Sequence, residues 1–186
     1  MLLYLAFLAA AQGPAAPPER ELLDAFKAAC EQTDDLGALR RAATGGGWTP
    51  VEDSADPRLA KLIGAGREAV GEQGKLEGAN FSRRIAGRAV YLVLSRYEHP
   101  TGYWGNGCRI YDFDAVKPLS SSDLAAWMSR EPTGRESSAV GSKLLWEPGW
   151  RKGITVGVTH VPATSPAVQA LGLSGNILIA QAIGGF

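Results

Sequence analysis

The chain has 186 residues, 45% of them apolar and 20% charged, with 19 Lys and Arg balanced by 19 Asp and Glu. That length suits one domain with a core of its own, and the composition is that of a folded chain rather than a disordered one. Balanced charge excludes the basic excess that holds nucleic acid through its phosphates, and no polybasic stretch addresses an anionic membrane surface.

Residues 1–11 are uncharged and almost wholly apolar, and residues 12–18 are small and Pro-rich. The run falls short of the roughly 20 residues that span a bilayer, and Ala9-x-Ala11 fits signal-peptide cleavage before Gln12. The expected organisation is a signal peptide at 1–11, a linker at 12–18 and a single domain at 19–186. No Cys stands directly after the apolar run to carry a lipid, and no basic residue precedes it. The expected location is periplasmic or secreted, with no stable membrane anchor.

In residues 19–30, Leu22, Leu23, Phe26, Ala29 and Cys30 recur at helical spacing, which sets Cys30 on the buried face of a first helix. Thr33, Asp34 and Asp35 offer caps for a second helix with the stripe Leu36, Leu39, Ala42 and Ala43. Gly45, Gly46 and Gly47 stop it before Trp48. A helix running Phe26-Lys27-Ala28-Ala29-Cys30, followed by a Gly47-Trp48 stop, resembles the start of small exported proteobacterial proteins of unassigned function. The resemblance implies no activity and carries over no catalytic residue. Asp56 and Pro57 open a third helix through Leu59, Leu62, Ile63, Ala69 and Val70, weakened by Gly64 and Gly66.

After Gly74 the period becomes strand-like. Residues 76–84 and 88–97 read as strands, the second with an apolar centre that predicts burial on both faces. Residues 98–107 read as a long hairpin tip, and 108–113 as the returning strand, with Cys108 and Ile110 on one face and Arg109 and Tyr111 on the other. Ser121 or Ser122 caps a short helix carrying Leu124, Trp127 and Met128, and residues 131–138 read as loop. Residues 140–146 and 153–161 read as strands joined by a type II turn on Pro148 and Gly149. A connection at 162–174 leads to a last strand at 176–183. Helices first and strands after predict an α+β fold, with N-terminal helices packed on a largely antiparallel sheet.

Chemical motifs are sparse. His99 and His160 belong to no HExxH, and no Cys/His cluster or GxSxG is present, so neither a metal nor a cofactor is expected. The glycines at 45–47 follow a helix rather than opening one, which is not how a phosphate loop is built. Cys30 and Cys108 either pair in an oxidising compartment or pack as two separate thiols. Arg83, Arg84, Arg88, Arg96 and Arg109 surround the hairpin, and Arg84, Arg88 and Arg96 share parity; they form an anion-holding face or a solvated one.

Three functional readings follow. In the first, the chain is a non-enzymatic binding or interaction domain. His99, Tyr103, Trp104 and Asn106, aromatic and polar groups on a Gly-rich tip, take a protein or small-molecule partner in the cell envelope. In the second, it is a small envelope hydrolase using His99 or His160 with Asp112 or Asp114. In the third, it is a structural envelope component, a reading raised by the terminal Phe186 after an apolar strand.

Overall fold

The helix boundaries are set by caps the sequence spells out. In the computed structural model, which describes residues 18–71, 74–166, 168 and 172–185, α1 (Pro18–Cys30) opens on Pro18. Proline suits a first helical position because its missing N–H would be unpaired there anyway. The expected signal peptide and the rest of the linker lie outside the described residues. Asp35 caps α2 (Leu36–Gly45) by accepting from the Ala38 amide, and the Gly46 amide donates to the last carbonyls. Asp56 caps α3 (Pro57–Val70) with Pro57 at its first turn. Ser120, one residue before the expected caps, accepts from the Asp123 amide to open α4 (Ser121–Met128).

The remaining elements form one eight-stranded antiparallel sheet in the order β1-β2-β3-β4-β8-β7-β6-β5. They are β1 (Thr49–Pro50), β2 (Lys75–Ile85), β3 (Arg88–Glu98), β4 (Trp104–Asp112), β5 (Gly134–Ser137), β6 (Ser142–Trp146), β7 (Ile154–Val161) and β8 (Gly175–Gly184). The α+β class with N-terminal helices on an antiparallel sheet is therefore the observed one. The sheet is open, with β1 and β5 at its edges. Phe186 lies outside the described residues.

Several boundaries depart from expectation. Residues 134–137 are not loop but the edge strand β5, paired to β6 from Gly134↔Leu145 to Ser137↔Ser142. The tip between β3 and β4 is shorter than expected, because β4 already begins at Trp104. The β6–β7 connection is wider than a four-residue turn, with a cis Glu147–Pro148 peptide and the Gly149 amide donating to the Ile154 carbonyl.

Strand alternation divides the side chains between two faces. On the first face Val90, Leu92, Leu94, Cys108, Ile110, Val156, Leu178 and Ala180 meet Leu22, Phe26, Ala29 and Leu39 from α1 and α2, with Leu124 of α4. Fully buried Trp146 donates its indole N–H to the Arg130 carbonyl. Cys30 and Cys108 are joined by a disulfide across this core. Among the described residues the second face is covered only in part. Leu59, Leu62 and Ile63 of α3 pack there with Tyr91, Tyr111, Phe113, Ile177 and Ile179. β3 is thus sealed on one side and half-buried on the other, rather than buried on both.

Candidate functional site

The uncovered part of the second face is a cleft of about 640 Å³ between α3 and the strands β2, β3, β4 and β8. Its floor follows from register. Leu76, Tyr97, Gly105 and Ile183 stand opposite one another across four strands and form an outer row. Gly78, Ser95, Gly107 and Gln181 form the next, and Asn80, Val93, Arg109 and Ile179 the third. The middle row carries two glycines, which makes it a trough.

Arg109 fills part of that trough. A Cβ on Gly107 would lie 2.2 Å from Arg109 Nη1, so the glycine is what lets the guanidinium lie over the strand. Arg109 Nη1 donates to Ser95 Oγ at 3.0 Å. Among the described residues no carboxylate lies within ion-pair reach of Arg109. The acids at the rim are already matched, Asp53 to Arg67 at 2.7 Å and Glu77 to Arg40 at 2.9 Å. Asp53 also accepts from Asn80 Nδ2 at 2.6 Å. Below Arg109, burial pushes the Tyr111 phenol up from its ordinary 10.0, opposed by the Arg109 charge. That phenol stays neutral and adds no negative charge to the floor.

The outer row is apolar and exposed. Leu76 is 39% and Ile183 46% exposed, and both line the cleft. Between them a Cβ on Gly105 would meet nothing within 4 Å, so the cleft is open at that point. A half-buried cation beside a trough, bordered by bare aliphatic side chains, can hold an amphipathic anion.

No protein-family model, curated protein or solved structure matches this chain.

The four tip residues expected to act together are divided. Tyr103 borders the cleft, while the Asn106 side chain lies with Arg96 on the opposite side of β4. Trp104 points to the other face, packed against the helix-covered core, with Arg96 over its ring at 5.0 Å. Asn106 is only 2% exposed and accepts from Arg96 Nη1 at 3.2 Å. His99 stays in the tip, its Nδ1 bonded to Thr101 at 2.7 Å. Trp104 and Asn106 belong to strand β4 and alternate across it with Tyr103 and Gly105, which is why one loop surface does not form.

The groups of the hydrolase reading have other partners. His160 Nδ1 meets Asn176 Oδ1 at 2.9 Å. Asp112 is held by two nitrogens of Arg88, and Asp114 by Arg58 Nη1 at 2.7 Å. No His–Asp hydrogen bond joins them among the described residues. No cluster of three or more metal-ligating side chains occurs among the described residues either.

The arginines separate as well. Arg84 pairs with Ala89 and Ile85 with Arg88, so Arg84 and Arg88 fall on opposite faces despite their shared parity. Arg83 donates to the Gly46 carbonyl and Arg84 to the Gly87 carbonyl. Only Arg109 of the five lines the cleft. The sequence by itself does not point to Ser95, Gln181, Leu76 or Ile183. The signal that could have found them is the run of Gly105, Gly107 and Arg109 on one side of a strand.

Proposed function

We propose that this chain is a non-enzymatic binding protein of an exported, oxidising compartment, and that its ligand site is the cleft between α3 and the second sheet face. The observation that carries this reading is the half-buried Arg109 beside exposed Leu76 and Ile183 in a cleft of about 640 Å³. That volume is in the range of small-molecule sites, which are mostly apolar with a few placed polar groups. The Cys30–Cys108 bond is compatible with an oxidising location. So is the apolar 1–11 segment, read as a signal peptide.

A neutral environment-sensitive fluorophore, N-phenyl-1-naphthylamine, tests the cleft. The full chain is expected to enhance its emission, and Gly105→Phe to remove the enhancement by filling the open space at that position. No enhancement with the wild-type chain, or full enhancement with G105F, overturns the cleft as the site. N-terminal sequencing of the exported protein tests the location. A start at Gln12 supports it, and an intact Met1 overturns cleavage.

A further inference from the structure

We infer that the ligand of the cleft is a single-chain amphipathic monocarboxylate, its head on Arg109 and its hydrocarbon chain along the outer row. This rests on the cleft being the binding site and adds the chemistry of what occupies it.

The charge argument comes first. Asp53 and Glu77 at the rim are each bound to an arginine, and Tyr111 stays neutral. The floor therefore carries one positive charge, that of Arg109, bonded only to the neutral Ser95 hydroxyl among the described residues. A cation left half-buried without a counter-charge is costly, and an anionic ligand removes that cost. One guanidinium matches one carboxylate in charge and in its forked geometry. A phosphate dianion would leave a second negative charge in the trough with no second cation in the floor. Lys61, the other unpaired cation lining the cleft among the described residues, is solvent-exposed on α3 at its mouth.

The shape argument is separate. The trough of Gly78, Ser95, Gly107 and Gln181 is narrow in side-chain volume and sits beside Arg109. It leaves room for a small polar head, with the Ser95 hydroxyl and Gln181 amide as further donors. The next row out, Leu76, Tyr97, Gly105 and Ile183, offers aliphatic and aromatic surface with a gap at Gly105. Trough and apolar row are thus set two residues apart along each strand, in the order an alkyl carboxylate presents its head and chain. The two exposed aliphatic side chains lose their contact with water when such a chain is bound.

Calorimetric titration of the full chain with octanoate, decanoate, decanol and decyl phosphate tests the assignment. Decanoate is expected to bind at least about tenfold tighter than decanol, the worth of a hydrogen-bonded charge. Each added methylene is expected to tighten binding about fourfold. Arg109→Gln is expected to erase the difference between acid and alcohol while leaving decanol binding in place. Equal binding of decanoate and decanol to the wild-type chain overturns the carboxylate assignment, and that comparison needs no variant. Tighter binding of decyl phosphate than of decanoate overturns it as well. In either case uptake of the neutral fluorophore shows the cleft reading standing. If neither the alkyl ligands nor the fluorophore bind, both readings fall together.

Discussion

Cys30, the last residue of α1, is bonded to Cys108 in the middle of β4, with 5.5 Å between their α-carbons. The bond closes a segment with a sequence separation of 78 residues, so it ties the first helix to a central strand across most of the N-terminal half. Cross-linking a loop of that size removes entropy from the unfolded chain worth about 4 kcal/mol in the chain-entropy model. The double variant Cys30→Ala, Cys108→Ala is expected to lose about 2–4 kcal/mol in urea unfolding. Dithiothreitol should lower the midpoint of the wild-type chain and leave that of the double variant unchanged.

Arg88 of β3 and Asp112 of β4 form a second tie, this one between strands. Asp112 is fully buried, and its oxygens accept from Arg88 Nε and Nη2 at 2.7–3.2 Å. Arg88→Met leaves that carboxylate buried and uncompensated. The expected cost is about 3 kcal/mol, at the low end for such pairs because Arg88 keeps contact with water. Adding Asp112→Leu should restore a large part of the loss. Arg20→Ala, which breaks a pair exposed on both sides, should change stability little. Chemical unfolding of the four proteins separates these outcomes.

Acid should act on Asp56. The Arg58 side chain holds the Asp56 carboxyl below its ordinary value of 3.8, assisted by the Arg58 amide that the carboxyl caps. A carboxyl depressed in the folded state adds stability that is fully present above its unfolded value and is lost as pH falls through the folded one. Asp56→Asn keeps a capping oxygen but not the charge. The stability gap between wild type and D56N should therefore be constant near neutral pH and close below about pH 4. Asp56→Ala should cost about a further 1 kcal/mol at every pH by removing the cap. Urea unfolding from pH 7 down to 2 reads both effects.

The turn between β2 and β3 leaves room for improvement. Ala86 and Gly87 both have positive φ, 48° and 81°, while Ile85 pairs directly with Arg88. This is the two-residue hairpin geometry that favours Asn-Gly. A Cβ-bearing alanine is strained there, whereas asparagine tolerates the left-handed region. Ala86→Asn is expected to stabilise by about 0.5–1 kcal/mol. A rise in melting temperature checks it, and a fall would contradict the assigned turn.

What the sequence made legible follows from where its signals are local. Asp35, Asp56 and Pro57 mark helix starts because a cap needs only its own neighbouring amides. The 88–97 run reads as a strand because its apolar density has no other economical use. Trp104-Gly-Asn-Gly reads as loop because glycine has two meanings in a sheet region: a turn, or room for something to lie close. At Gly107 the second applies, and what lies close is the guanidinium two residues on. β5 shows no alternation because it is an edge strand, exposed at every position but Gly134. The arginine parity failed at the Ala86–Gly87 turn, since a two-residue turn pairs even positions with odd ones. The cleft itself depends on which strands become neighbours, above all β8 beside β4, and no local pattern states that.

The alternation of β4 gives the disulfide a second role. Cys108 and Arg109 are adjacent, one turned toward α1 and the other into the cleft. A strand that slipped by a single residue would exchange these two side chains, driving a guanidinium into the helix-covered core and emptying the cleft of its charge. Glycine-rich strands specify their own alignment weakly, and β4 contains Gly105 and Gly107. The covalent bond to α1 works as a peg at the neighbouring position. It fixes not only how firmly the chain folds but which side chains of β4 turn toward the cleft.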